Sequence, residues 1–120
     1  MSIRNILIVD DSKTEQVYLS QMLHAEGFAT DLACDAEEAQ KSIDTKRPDL
    51  ILLDVVMPGQ SGFQFARSLT RDPKYADIPI ILCTSKEQET DRVWGIRQGA
   101  KAYIVKPVQK AELLEKIRAL

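Results

Sequence analysis

Apolar residues in this chain fall into short unbroken runs, separated by longer stretches where they recur every three or four positions. Asn5 to Asp10, Leu50 to Leu53, Pro79 to Cys83 and Ala102 to Val105 form the runs. Four or five apolar residues without alternation suit strands of a parallel sheet that is covered on both faces. Leu50 to Leu53 is the most apolar run and is expected at the sheet centre. Phe28 to Ala33 is more polar, as an edge strand should be. Between the strands the period changes to that of helices. Ser12, with Glu15 three residues on, predicts a capping box. It opens a first helix running to about Glu26, which should bury Val17, Leu19, Met22 and Leu23 before Gly27 stops it. Asp35 caps a second helix with Ala36, Ala39 and Ile43 on one face, and Pro48 ends the connection. After the loop Met57 to Gly62, a third helix carries Phe63, Phe65, Ala66 and Leu69. A fourth spans about Glu87 to Gln98, with Gly99 beyond it, and a fifth runs from about Lys110.

Five strands alternating with five helices predict an α/β domain: a flavodoxin-like, doubly wound (βα)5 three-layer sandwich with parallel sheet order 2-1-3-4-5. Right-handed crossovers then point every strand the same way, so all carboxyl ends gather on one edge. The residues there are chemically pointed: Asp10 and Asp11, Asp54, Thr84 with Ser85, and Lys106. Carboxylates brought together repel one another unless protons or a cation neutralise them. A hard divalent ion with oxygen ligands, Mg²⁺ above all, is the expected answer. Taken singly, each residue reads equally well as a helix cap or a surface side chain. It is their coincidence at successive strand ends that predicts a site.

Composition narrows the class. The 120 residues suffice for one core, and 44% hydrophobic with 28% charged residues is ordinary for a globular domain. A net charge of −2 and the lack of any dense Lys/Arg cluster argue against a nucleic-acid module. No run approaches the ~18 apolar residues that a membrane span needs. The amino-terminal apolar stretch is too short for a leader, so a cytoplasmic location is expected. Cys34 and Cys83 have no metal-ligand spacing and are expected as two reduced thiols.

The motifs IVDDS, LLDVVMPGQSG, CTS and YIVKP, in that order, resemble the receiver domain of bacterial two-component response regulators, over essentially the whole chain. That resemblance implies roles. Asp54 is the phosphoacceptor, Asp11, Asp54 and the Val56 backbone carbonyl are direct Mg²⁺ ligands, and Asp10 acts through a metal-bound water. Lys106 ion-pairs with Asp54 and later with phosphoryl oxygens, Thr84 swings in to meet the phosphoryl group, and the Lys106-Pro107 bond is cis. It also implies a CheA-like sensor histidine kinase as phosphodonor. The output protein would meet the face of helix 4, strand 5 and helix 5, with Arg92, Ile96, Lys101 and Tyr103 as exposed contributors. Phosphorylation would draw Tyr103 inward.

The stretch TSKEQETDRVWGIRQGAKAYIVKPV is similar to the stand-alone regulators of type IV pilus twitching motility, the PilH group. A single receiver without an output domain, which signals through its own surface, follows from that likeness. Val56 and Lys86 depart from the best-known chemotaxis regulators, which carry Asn and Glu there, so phosphoryl lifetime does not carry over. Gly95, costly inside a helix, is read as room for a close neighbour of Trp94. Three alternatives stay open: a phosphate sink without an output partner, a small aspartyl-phosphate phosphatase, and a flavodoxin. The phosphatase would place a D-x-D pattern after the first strand and add a cap. A flavin phosphate would be repelled by Asp10 and Asp11.

Overall fold

A computed structural model describes residues 2–120. The elements run β1 (Asn5–Val9), α1 (Lys13–His24), β2 (Ala29–Ala33), α2 (Ala36–Thr45), β3 (Leu50–Leu53), α3 (Gly62–Thr70), β4 (Ile80–Thr84), α4 (Glu89–Arg97), β5 (Ala102–Val105) and α5 (Lys110–Arg118). All four strand pairings are parallel, in the order β2-β1-β3-β4-β5. The expected topology, the central place of β3 and the edge place of β2 are therefore all present.

Period-two alternation divides the strands between two cores. Leu7, Val9, Ile51 and Leu53 face one side with Ala39, Ile43, Phe65 and Leu69 of α2 and α3. Ile6, Ile8, Leu50 and Leu52 face the other with Leu19 and Leu23 of α1 and Leu113 and Ile117 of α5. Both faces of β1, β3 and β4 are buried, which is why these strands are continuous apolar runs rather than alternating ones.

Helix α1 differs from expectation in what it buries. Val17 is exposed, and the polar Gln16 takes the inward position instead. Its side-chain amide donates to the carbonyls of Asp10 (2.7 Å) and Ala33 (3.1 Å), tying the ends of β1 and β2 together. A buried amide is tolerated here because its hydrogens are used. Met22 is only partly buried.

The capping box forms at another helix. At α3, the Ser61 hydroxyl accepts from the Gln64 amide, and the Gln64 side chain accepts from the Ser61 amide. At α1 only half the box exists. Ser12 Oγ accepts from the Glu15 amide at 3.3 Å, but the Ser12 N–H is already taken by Asp10 Oδ1 at 2.9 Å. The Glu15 carboxylate is thereby left out of the cap.

Candidate functional site

Site construction begins with the ends of β1 and β3. The Asp54 amide donates to the Val9 carbonyl (2.9 Å) and the Asp10 amide to the Ala33 carbonyl (3.0 Å), so both acids are fixed by the sheet ladder itself. The following loop turns back sharply, its Gly62 N–H on the Val55 carbonyl at 2.8 Å. A side chain at Gly62 would strike the Asp54 carbonyl oxygen and come within 2.7 Å of Val55 Cα. Only glycine lets α3 start this close to the strand end.

Asp10, Asp11 and Asp54 each offer a carboxylate oxygen, and these atoms lie within 4.8 Å of one another. Asp10 and Asp54 are buried and Asp11 is exposed, so the cluster opens to solvent on one side. Lys106, at the end of β5, reaches into it. Its ammonium donates to Asp10 Oδ2 at 2.7 Å and to Asp54 Oδ2 at 3.4 Å. The tighter partner is thus Asp10, where the family pattern had pointed to Asp54. The Lys106-Pro107 peptide is cis, as expected.

Charge and burial oppose each other here. Burial pushes the Asp54 carboxyl above the usual carboxylate range, and Asp10 adds to the shift. The Lys106 ammonium acts the other way, as do the Thr84 hydroxyl and the Val56 amide. Burial works against the Lys106 ammonium, yet its bond to Asp10 and the charges of Asp54 and Glu15 outweigh that and hold its pKa up. An ammonium ringed by anions stays charged.

Thr84 is fully buried at the end of β4, beside Asp54, and its hydroxyl accepts from the Lys86 amide at 3.4 Å. The Lys86 ammonium instead lies 3.9 Å from Asp91 in the first turn of α4. The Val56 side chain is exposed, and its amide faces Asp54 Oδ1 at 3.4 Å.

Tyr103 and Gly95 depart from the sequence expectation. Tyr103, expected as an exposed surface residue that moves inward, is already buried, with only 2% of its surface accessible. Its hydroxyl donates to the Lys86 carbonyl at 2.8 Å, and burial pushes its pKa up to about 12. Gly95 makes room for this ring and not for Trp94, which is exposed. A Cβ at Gly95 would lie 2.7 Å from Leu82 Cδ1 and 3.0 Å from Tyr103 Cδ2. Arg92, Ile96 and Lys101 are exposed as expected. Arg92 also donates to the Tyr103 carbonyl at 3.2 Å and lies over the Tyr103 ring, 5.5 Å from its centre. Together with Lys116, Ala119 and Leu120, these residues line an open groove of about 710 Å³ between α4 and the end of α5.

Spacing alone assigns Glu15 only a capping role. Its carboxylate lies within electrostatic reach of Lys106, Asp10 and Asp54, and burial, opposed by Lys106, pushes its pKa up. That the Ser12 amide is already occupied by Asp10 is a tertiary detail which the S-x-x-E spacing could not reveal.

A doubly wound sheet with three clustered aspartates, a buried threonine and a lysine on its carboxyl edge defines a CheY-like phosphoacceptor domain. The chain belongs to the response regulator receiver family, whose profile matches residues 6–118. It is 46% identical to Protein PilH of Pseudomonas aeruginosa over 115 residues, which cover 96% of this chain and 95% of that protein. It is 38% identical to the phosphate regulon transcriptional regulatory protein PhoB of Escherichia coli, covering 98% of this chain but only 51% of that regulator. The CheX-CheY-BeF3-Mg complex from Borrelia burgdorferi contains a chain of 30% identity and TM-score 0.88, with 97% of this chain and 87% of that one covered. Among the described residues, no helix is long and apolar enough to cross a membrane.

Proposed function

We propose that this chain is a phosphorylation-switched binding module acting in type IV pilus twitching motility. The observation that carries the reading is the cluster of three carboxylate oxygens within 4.8 Å, joined by the Lys106 ammonium on two of them. The likeness to PilH over nearly the full length of both chains supports the pathway.

An Asp54 oxygen attacks the phosphorus of a phosphohistidine on a CheA-like sensor histidine kinase. A P–O bond forms as the P–N bond breaks, and the departing imidazole nitrogen keeps the electron pair and takes up a proton. Anion attacks anion in this step, so neutralisation is the main catalytic requirement. Lys106 supplies one positive charge from 3.4 Å and follows the charge as it spreads to the phosphoryl oxygens. The all-oxygen acidic donor set fits Mg²⁺. Asp11, Asp54 and the Val56 carbonyl would hold the ion, with Asp10 acting through a bound water, and the ion would supply the remaining neutralisation. The Thr84 hydroxyl, already beside Asp54, donates to a phosphoryl oxygen.

Readout lies next to this threonine. Thr84 leads to Lys86, whose carbonyl receives the Tyr103 hydroxyl, and Tyr103 packs on Gly95 of α4. Movement of Thr84 toward a phosphoryl group pulls on that connection and alters the α4-β5-α5 face, where an output protein docks. The domain does no turnover chemistry beyond its own phosphorylation and dephosphorylation.

Incubation with acetyl phosphate and Mg²⁺, followed by intact-mass measurement, should show one phosphoryl adduct that Asp54→Asn abolishes. An adduct of undiminished yield in Asp54→Asn would overturn the assignment.

A further inference from the structure

Glu15, in the first turn of α1, lies within the reach of the acidic cluster but takes no part in its bonds. Its Oε1 is buried and has no hydrogen-bond partner. The N–H it would take in a capping box belongs to Asp10. A buried carboxylate oxygen without a donor costs free energy, so its place calls for a partner that comes and goes. The candidate is Lys106, the cation of the cluster that Glu15 borders. Two of its three N–H groups are engaged by Asp10 and Asp54, leaving one over. Lys106 is also the charge that acts on Glu15 most strongly.

We propose that Glu15 is a positioning residue for Lys106: a second anchor that receives the ammonium when a cation or a phosphoryl group takes over Asp10 and Asp54. This inference rests on the phosphoacceptor reading above. A divalent ion among the aspartates repels the ammonium and withdraws the oxygens it now uses. Without Glu15 the ammonium loses that alternative, so it competes harder for the aspartates and Mg²⁺ binds more weakly. With a phosphoryl group on Asp54 the sign reverses. Glu15 then divides the hold of Lys106 on the phosphoryl oxygens, and its removal leaves that hold undivided.

The test is Glu15→Gln, which keeps shape and removes the charge, measured by two calorimetric titrations. Mg²⁺ affinity should fall by about three- to tenfold, while beryllofluoride affinity at saturating Mg²⁺ should rise by a similar factor. Opposite signs are the signature, because a residue needed only for folding would weaken both. Glu15→Asp should keep more of the wild-type Mg²⁺ affinity than Glu15→Gln. In a Lys106→Ala background Glu15→Gln should change beryllofluoride binding by about twofold or less. Unchanged affinities, shifts of the same sign, or an undiminished effect without Lys106 would each overturn the role of Glu15. A wild-type protein that binds no beryllofluoride in the presence of Mg²⁺ would instead sink the phosphoacceptor reading on which it rests.

Discussion

Helices α3 and α4 are both nine residues long and both follow a strand that delivers a site residue, yet they are held in opposite ways. Helix α3 has a complete capping box and buries Gly62, Phe65, Ala66 and Leu69. Helix α4 has no side-chain cap, buries only Gly95 among its nine residues, and leaves Val93, Trp94 and Ile96 exposed. Its attachments are few: the Tyr103 ring against Gly95, Arg92 on the Tyr103 carbonyl, and Thr70 Oγ1 on the Gln98 carbonyl at 2.8 Å. Local opening free energies follow buried contacts and hydrogen bonds. The molecule therefore pairs a fixed support behind Asp54 with a lightly fastened helix behind Thr84. A site that must hold its chemistry still and report it elsewhere needs one of each.

Breaking the support should have the largest effect. Phe65→Ala removes a fully buried ring from α3 and should cost about 3–5 kcal/mol in chemical denaturation. A loss as small as that of a surface substitution would show that α3 is no better anchored than α4.

Next comes the contact that seats α4 on β4 and β5. Gly95→Ala places a methyl against Leu82 and Tyr103, an overpacking cost of about 1–3 kcal/mol. Helix propensity returns about 1 kcal/mol, so a net loss near 1 kcal/mol is expected. Amide shifts should change across α4 and β5 while α3 stays as it was. A stabilised protein with unmoved β5 amides would rule out Gly95 as the close-approach point.

The caps sharpen the contrast further. Ser61→Ala should lose about 1 kcal/mol, because a hydroxyl that satisfies a helix amide is removed. Gln88→Ala, at a cap position whose side chain accepts from no helix amide, should lose at most about 0.5 kcal/mol. Equal losses would erase the difference between the two helix starts. Equally small is the effect of Trp94→Ala, whose ring is half in solvent and whose removal should shift stability by about 0.5 kcal/mol or less. A larger drop would reveal packing on α4 that the exposed ring does not suggest.

Strand order and the gathering of Asp10, Asp11, Asp54, Thr84 and Lys106 were legible because buried parallel strands leave unbroken apolar runs and topology does the rest. Side-chain direction was harder to read. Val17 and Gln16 are neighbours on a helix with a weak apolar stripe, and hydrophobicity alone picks valine for the inside. What reverses the choice is a pair of carbonyls at the ends of β1 and β2, Asp10 and Ala33, which the Gln16 amide bridges. Tyr103 shows the same limit. Its burial depends on the gap at Gly95, and the two residues meet only once α4 is laid over β5. The glycine was visible as an oddity inside a helix, but nothing local names the ring that fills the gap. The place of Glu15 is not legible because a spacing motif records who could bond and not that Asp10 already holds the Ser12 amide.

The Arg92 bond to the Tyr103 carbonyl bears on solubility. Strand β5 is an edge strand, and its outward carbonyls are open to pairing with a foreign chain. The guanidinium covers one of them and stands as a gatekeeper against β-aggregation. A partner that draws Arg92 away must satisfy that carbonyl itself, and an extended segment laid along β5 does so by adding a strand to the sheet. Any partner recognised at this face would thus compete with protection from self-association for one side chain.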